Sequence, residues 1–258
     1  MPERGSDIFA YTVSYGDRAY LKKTVTNMRG TAGVWFDWGV WLGAPSEGLQ
    51  AEAQDLLEHP QRLGIQRLRI WPENRGQHHA TKEALEYARE KGYKWLLRMD
   101  DDCQSKTKRW LKKMLAQLAA LKLAAKDPQD RVIVAPKVVG LRHPLRATGY
   151  INLGQTVDGK EFQAEDMEVL GGVCRLHPVE FLKDYKPLLY APAGRGDPGS
   201  IAAYVREHEG LLIRFPGIRV VHRTDVLEAN ETENQGLMRK MSHYWPWLGG
   251  DDESREHV

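Results

Sequence analysis

Through about the first 125 of its 258 residues the chain alternates short β-prone runs with stretches of helical amphipathic spacing, and this constrains the fold most. Ile8 to Ser14 is β-rich; after Gly16-Asp17, Leu21, Val25 and Met28 share a helix face that Gly30 is expected to end. Phe36 to Leu42 reads as a second strand, Ser46 is placed to cap a helix carrying Leu49, Ala53, Leu56 and Leu57, and Pro60 closes it. Ile65 to Trp71 is a third strand. Asn74-Arg75-Gly76 then leads into a helix with Ala80, Ala84 and Ala88 on one face, stopped at Gly92. Tyr93 to Met99 is a fourth, apolar strand. Such alternation predicts βαβ units, a mainly parallel Rossmann-like sheet, and ligands outside the strand C-termini.

Further on, a helix is predicted from Ser105 to about Ala125, burying Trp110, Met114, Leu115, Leu118 and Leu121, then a strand from Arg131 to Ala135. Tyr150 to Gln163 reads as a hairpin turning at Asp158-Gly159. Glu168 to Leu176 reads as a strand with Gly171-Gly172 inside it, room for something to approach the backbone, and a helix is expected near Pro178 to Asp184. The loop Gly194 to Pro198 enters a helix running to Gly210, and Leu211 to Phe215 and Ile218 to His222 form a last pair of strands. The tail from Glu228 holds the aromatic cluster Tyr244 to Trp247 and an acidic end expected to be disordered.

Apolar residues at 41% and charged residues at 28% are ordinary for a globular protein and exclude disorder for most of the chain. The net charge of +2 hides local clustering. Cys103 and Cys174 belong to no CxxC pair, which fits a reducing, cytoplasmic setting. Neither a signal peptide nor a membrane span is expected.

Asp100, Asp101 and Asp102 follow the fourth strand directly. Carboxylates this close repel one another unless a cation sits among them, so a divalent metal is the economical explanation, and hard oxygen ligands suit Mg²⁺ or Mn²⁺. The competing reading is an acidic turn leading into a helix N-terminus at Ser105. His222 closes the last strand as a polar terminus or as a metal ligand.

These features, in this order over roughly residues 7 to 225, resemble a family 2 glycosyltransferase of the GT-A fold. Val13-Ser14-Tyr15-Gly16 is similar to the family's nucleotide-binding turn, Asn74-Arg75-Gly76 to its NxG loop, and Asp100-Asp101-Asp102 to its DxD. Gly171-Gly172-Val173-Cys174-Arg175 is similar to its acceptor-side strand, Asp197 to its acidic element before a helix, and His222 to its last metal-ligating histidine. The resemblance implies one GT-A domain over residues 1–225, a donor half to about 135 and an acceptor half with a hairpin over about 136–225, followed by a tail over 226–258.

It further implies a nucleotide-diphosphate sugar donor, Mn²⁺ or Mg²⁺ on the diphosphate, and transfer with inversion. Val13, Ser14, Tyr15, Asn74, Arg75, Asp100, Asp101 and Gly172 would meet the donor, and Asp100, Asp102 and His222 the metal. Asp197 would be the general base, with Glu165 or Asp166 next in line. Two departures stand out: Gly196 replaces the family's usual Glu, and Gly43-Ala44-Pro45-Ser46 lacks the carboxylate usually placed near the nucleobase.

Lys106, Lys108, Arg109, Lys112 and Lys113 crowd the N-terminal half of the helix expected after the acids, where the macrodipole disfavours cations. The nearby aspartates and the donor phosphates, a polyanionic acceptor such as DNA, or solvent would compensate them. The acceptor is expected to be a modified base in DNA or a glycan, including a lipid-linked one reached without integral membrane contact. Two rivals use the same acids: a two-metal nuclease or nucleotidyltransferase, and a non-catalytic sugar-nucleotide-binding module.

Overall fold

The structure, a computed structural model, describes residues 6–16, 20–58, 63–124, 130–140, 145–155, 161–186 and 196–222, with backbone only at 122–124, 155, 161–162 and 196–199. Pro60, the Asp158-Gly159 turn, Gly194-Arg195 and the C-terminal tail lie outside the described residues.

Four parallel strands form the first part of the sheet: β1 (Ile8–Gly16), β2 (Asp37–Pro45), β3 (Ile65–Trp71) and β4 (Trp95–Met99), in the order β3-β2-β1-β4. The order reverses between β1 and β4, which opens a crevice at their C-terminal ends. Beyond β4 come β9 (Cys174–Pro178), antiparallel to it, then β6 (Val132–Val139) and β10 (Leu211–His222), parallel to each other. The hairpin β7 (Ala147–Gln155) and β8 (Glu161–Met167) extends the sheet through an antiparallel β8–β10 pairing. A three-residue strand, β5 (Cys103–Ser105), pairs antiparallel with the end of β10.

Helices cover both faces. On one lie α1 (Leu21–Ala32), α2 (Glu47–Glu58) and α4 (Trp110–Ala124), whose buried residues share a core with Ile8, Ala10, Val40, Leu42, Leu97 and Met99. On the other lie α3 (Gly76–Lys91) and α5 (Gly196–Glu207), packed on Phe9, Tyr11, Leu96, Ile133 and Leu212. The alanines of α3 let that helix lie close against the strands, and Ser46 caps α2 through its hydroxyl, which accepts from the Leu49 amide at 3.2 Å.

Five expectations are corrected. Helix α1 runs through Gly30 and ends at Gly33, whose φ of 78° supplies the left-handed cap and whose bare Cα lies against Arg109. The helix predicted from Ser105 begins at Trp110, because Cys103–Ser105 are drawn into β5. The strand predicted from Glu168 begins at Cys174, so Gly171-Gly172 lies in the loop before it. Residues 179–184 form hydrogen-bonded turns instead of a helix, and the last two predicted strands are one strand, with a register shift between Phe215 and Arg219 around Pro216-Gly217.

Candidate functional site

The acids leave β4 at the crevice, and three contacts fix their turn. Asp101 points inward, 1% exposed, where its Oδ2 accepts a short hydrogen bond from Ser14 Oγ of β1. Thr24 Oγ1, in the first turn of α1, donates to the Asp101 carbonyl at 2.6 Å, and the Asp100 amide donates to the Val173 carbonyl at 2.8 Å. Ser14 and Asp101, both expected at the donor, therefore spend their side chains on each other and tie β1 to the turn.

Asp100 and Asp102 come together with His222. One ligand-type atom from each of the three lies within 4.8 Å of the others. His222 reaches them because β5 leads straight from the acids and pairs with β10 in the register His222↔Cys103, Val221↔Gln104, Val220↔Ser105. Its Nε2 stands 3.3 Å from Asp102 Oδ1, while its buried Nδ1 has no hydrogen-bond partner among the described residues.

Burial pushes the Asp100 carboxyl above its ordinary range and Asp102 adds to this, against the pull of the Arg98 guanidinium. Burial works against a charged His222, yet contact with Asp102 and the field of the other carboxylates outweigh it and raise its pKa. Two carboxylates and a half-buried imidazole, with Asp102 Oδ1 making no well-formed hydrogen bond, are a donor set suited to a divalent cation.

Arg98, read in the sequence only as part of an apolar strand, is buried beside this group. Its Nη2 lies 3.3 Å from Asp100 Oδ1 and also donates to Gln77 Oε1 at the start of α3. A Cβ on Gly172 would meet that guanidinium at 2.8 Å, which is why the loop before β9 has no side chain there. The available signal was spacing: two residues before Asp100 on a strand, Arg98 projects to the same face as the acid.

The other expected donor residues border the same sheet edge. Val13 and Tyr15, both half-buried, end β1, and Tyr15 lies in register with Gly43 of β2. Gly43 lets the loop after β3 close in, since a Cβ there would meet Asn74 Cα at 3.0 Å. Asn74 Oδ1 accepts from the Gly76 amide at 3.0 Å, and exposed Arg75 lies over the Trp71 ring at 5.6 Å. Asp197 is the second residue of α5, and its side chain lies outside the described residues. Glu165 is paired with Arg214, eight residues before His222 and hence roughly 25 Å back along β10. A cavity of about 550 Å³ opens at the opposite sheet edge, near Trp95 and Glu180, away from all these groups.

Residues 13–185 match the family model described as glycosyl transferase family 2. The chain belongs to that family. The family 2 chain is also similar in fold to GalNAc-T7 with UDP, GalNAc and Mn²⁺, at 12% identity and a TM-score of 0.61 over 85% of this chain and 44% of that one. It resembles TarS of S. aureus at 12% identity and a TM-score of 0.59, over 92% of this chain and 39% of that one. It resembles the mannosyltransferase PcManGT from Pyrobaculum calidifontis, in complex with GDP-Man and Mn²⁺, at 17% identity and a TM-score of 0.59, over 86% of this chain and 58% of that one. The family 2 chain thus spans about half the length of these solved chains, and the likeness is one of GT-A fold. No curated protein matches the sequence. No helix among the described residues is long and apolar enough to cross a membrane.

Proposed function

We propose that this chain is a metal-dependent glycosyltransferase that moves a sugar from a nucleotide-diphosphate donor to an acceptor hydroxyl with inversion. The convergence of Asp100, Asp102 and His222 on the crevice edge carries this reading, since two segments about 120 residues apart in sequence meet where a parallel sheet receives its ligand. Asp100, Asp102 and His222 would hold Mn²⁺ or Mg²⁺, and the nitrogen ligand favours Mn²⁺. That ion supplies positive charge against a departing diphosphate. The two solved relatives bound to a nucleotide or nucleotide sugar together with Mn²⁺ support the donor class.

The chain's own residues do the rest. Val13, Tyr15, Asn74 and Arg75 border the donor, with Arg75 free to pair with a phosphate oxygen. Ser14 and Asp101 act one layer below, holding the turn that presents the ligands. Arg98 steadies Asp100 and packs against the bare backbone at Gly172, the glycine expected on the donor side. Asp197 receives the proton of the acceptor hydroxyl as the new bond forms. Helix α5 supports this role: its far end leads through Gly210 to the start of β10, so its first turn faces the edge that bears the acids. Glu165 does not compete, being held by Arg214. The acceptor is a group in DNA or in a glycan.

A thermal-shift screen of nucleoside diphosphates and their sugars, with and without Mn²⁺, tests the proposal. A ligand at 100 times its Kd stabilises by about 2.7 kcal/mol, a shift read easily. At least one nucleotide should stabilise the wild type only with Mn²⁺, should not stabilise Asp102→Ala, and should have its sugar form slowly hydrolysed. Absence of any Mn²⁺-dependent shift, or its retention in Asp102→Ala, would overturn the reading.

A further inference from the structure

Charge is sharply segregated on the flank where α1, β5, α4, β6 and β10 meet. No Asp or Glu occurs in α1, from Cys103 to Ala124, in β6 or in β10. The same elements expose Lys106, Lys108, Arg109, Lys112, Lys113 and Arg219, and these make no ion pair among the described residues. By contrast, Lys22 on the α2 side of α1 is paired with Asp55 at 2.6 Å.

Backbone contacts draw the cations together. The Lys106 amide donates to the Arg219 carbonyl at 3.1 Å, and the Arg219 amide to Thr107 Oγ1 at 2.9 Å. The Lys113 amide reaches the Arg109 carbonyl at 2.9 Å, and Lys137 of β6 lies in register beside Arg219. Each feature costs stability: Lys112 and Lys113 stand in the first turn of α4 against its macrodipole, and like charges sit on neighbouring strands. Local rules broken together, with none of these cations ion-paired among the described residues, mark a surface that meets something anionic.

We infer that this flank is a docking surface for the phosphate backbone of a nucleic acid, the acceptor polymer. The role as acceptor rests on the glycosyl-transfer reading above; the binding does not. Arg219 precedes His222 by three residues, roughly 10 Å along β10, so a polymer lying on the flank passes the metal-site edge. A single sugar would not span both. Trp35, 40% exposed, lies two residues beyond Gly33, which abuts Arg109; the Arg29 guanidinium covers one side of its ring at 4.3 Å, which leaves the other for a base. An anionic membrane fits less well, because the large exposed apolar residues described, Trp35, Ile70, Val139 and Tyr150, are scattered over separate elements and form no face to insert.

Fluorescence anisotropy with a labelled single-stranded oligonucleotide of roughly 16 nucleotides, without donor or Mn²⁺, is the test. Affinity should fall with salt, and Lys108→Glu/Lys112→Glu/Arg219→Glu should weaken it at least tenfold. Neutralising three phosphates fewer should also reduce the slope of log affinity against log salt by about two. Lys108→Arg/Lys112→Arg/Arg219→Lys should bind as wild type. Circular dichroism checks folding, and Lys108→Gln/Lys112→Gln/Arg219→Gln replaces the reversal if that variant unfolds. Unchanged binding in the reversed or neutralised variant, no binding by the wild type, or equal binding to phosphatidylglycerol vesicles would overturn the inference. The nucleotide thermal-shift screen is a separate measurement, so the two readings fail separately.

Discussion

His222 Nε2 lies 3.3 Å from Asp102 Oδ1, and the residue that makes this possible is neither of them but Cys103, which pairs with His222 across β5 and β10. The acid turn and the last strand are thus fastened at the one point where their side chains must meet.

That contact gives opposite pH trends with and without metal. In the metal-free protein the pKa of His222 is raised above 6.5, so its stabilisation is full below 6.5 and is lost as pH rises through the raised value. Asp100, also raised, from 3.8, contributes in the same direction. Urea midpoints in EDTA should therefore fall from about pH 6 to pH 8. Mn²⁺ requires deprotonated ligands, so the additional stability it confers should grow over the same interval. A Mn²⁺ effect independent of pH would remove His222 from the ligand set.

Ser14→Ala takes away the hydroxyl that Asp101 accepts from, in a fully buried setting. Unfolding by urea should show a loss of about 1–3 kcal/mol. Mn²⁺ affinity should fall as well, because the turn presenting Asp100 and Asp102 loses its tie to β1. Wild-type stability in this variant would mean that the contact contributes nothing.

Gly172→Ala places a methyl group 2.8 Å from the Arg98 guanidinium. Arg98 has a flexible stem, but moving it breaks its contacts to Gln77 and Asp100, so a cost of about 1–3 kcal/mol is expected. Combining it with Arg98→Lys, which is shorter, should cost less than the sum of the two single changes, and chemical unfolding of the four proteins measures this.

Asp197→Asn separates binding from chemistry. The variant should keep donor and Mn²⁺ affinity and lose transfer by roughly 10²-fold or more. In the first turn of α5 asparagine keeps the size and loses only a charge favoured by the macrodipole, so stability should change by less than about 1 kcal/mol. Near-normal transfer on a preparation of measured donor affinity would take the general-base role from Asp197.

The first half of the fold was legible because its signals are local. Period-two and helical spacing, Ser46 as a cap and Gly92 as a stop each depend on a few neighbouring residues, and β3 and α3 fall where these place them. What escaped depends on distant partners. Cys103–Ser105 carry no strand signal of their own and become β5 only because the end of β10 lies alongside. Helix α1 passes through Gly30, where nothing approaches within 4 Å, and stops at Gly33, where Arg109 leaves no room for a Cβ. The grouping of Asp100, Asp102 and His222 was readable through order and resemblance, whereas the Ser14–Asp101 bond and the burial of Arg98 were not, since inward or outward orientation at a strand end is set by what packs there.

The β5–β10 pairing also bears on folding order. Parallel pairings of β1 to β4 are complete within the first hundred residues, but the third member of the acid-imidazole group arrives with the final residues of β10. Such a long-range closure comes late, because its loop entropy is paid before the contact rewards it. On the proposed metal reading, competence to capture the cation would therefore report that β10 has closed on β5, and a growing chain on the ribosome would have its acids in place long before it could use them.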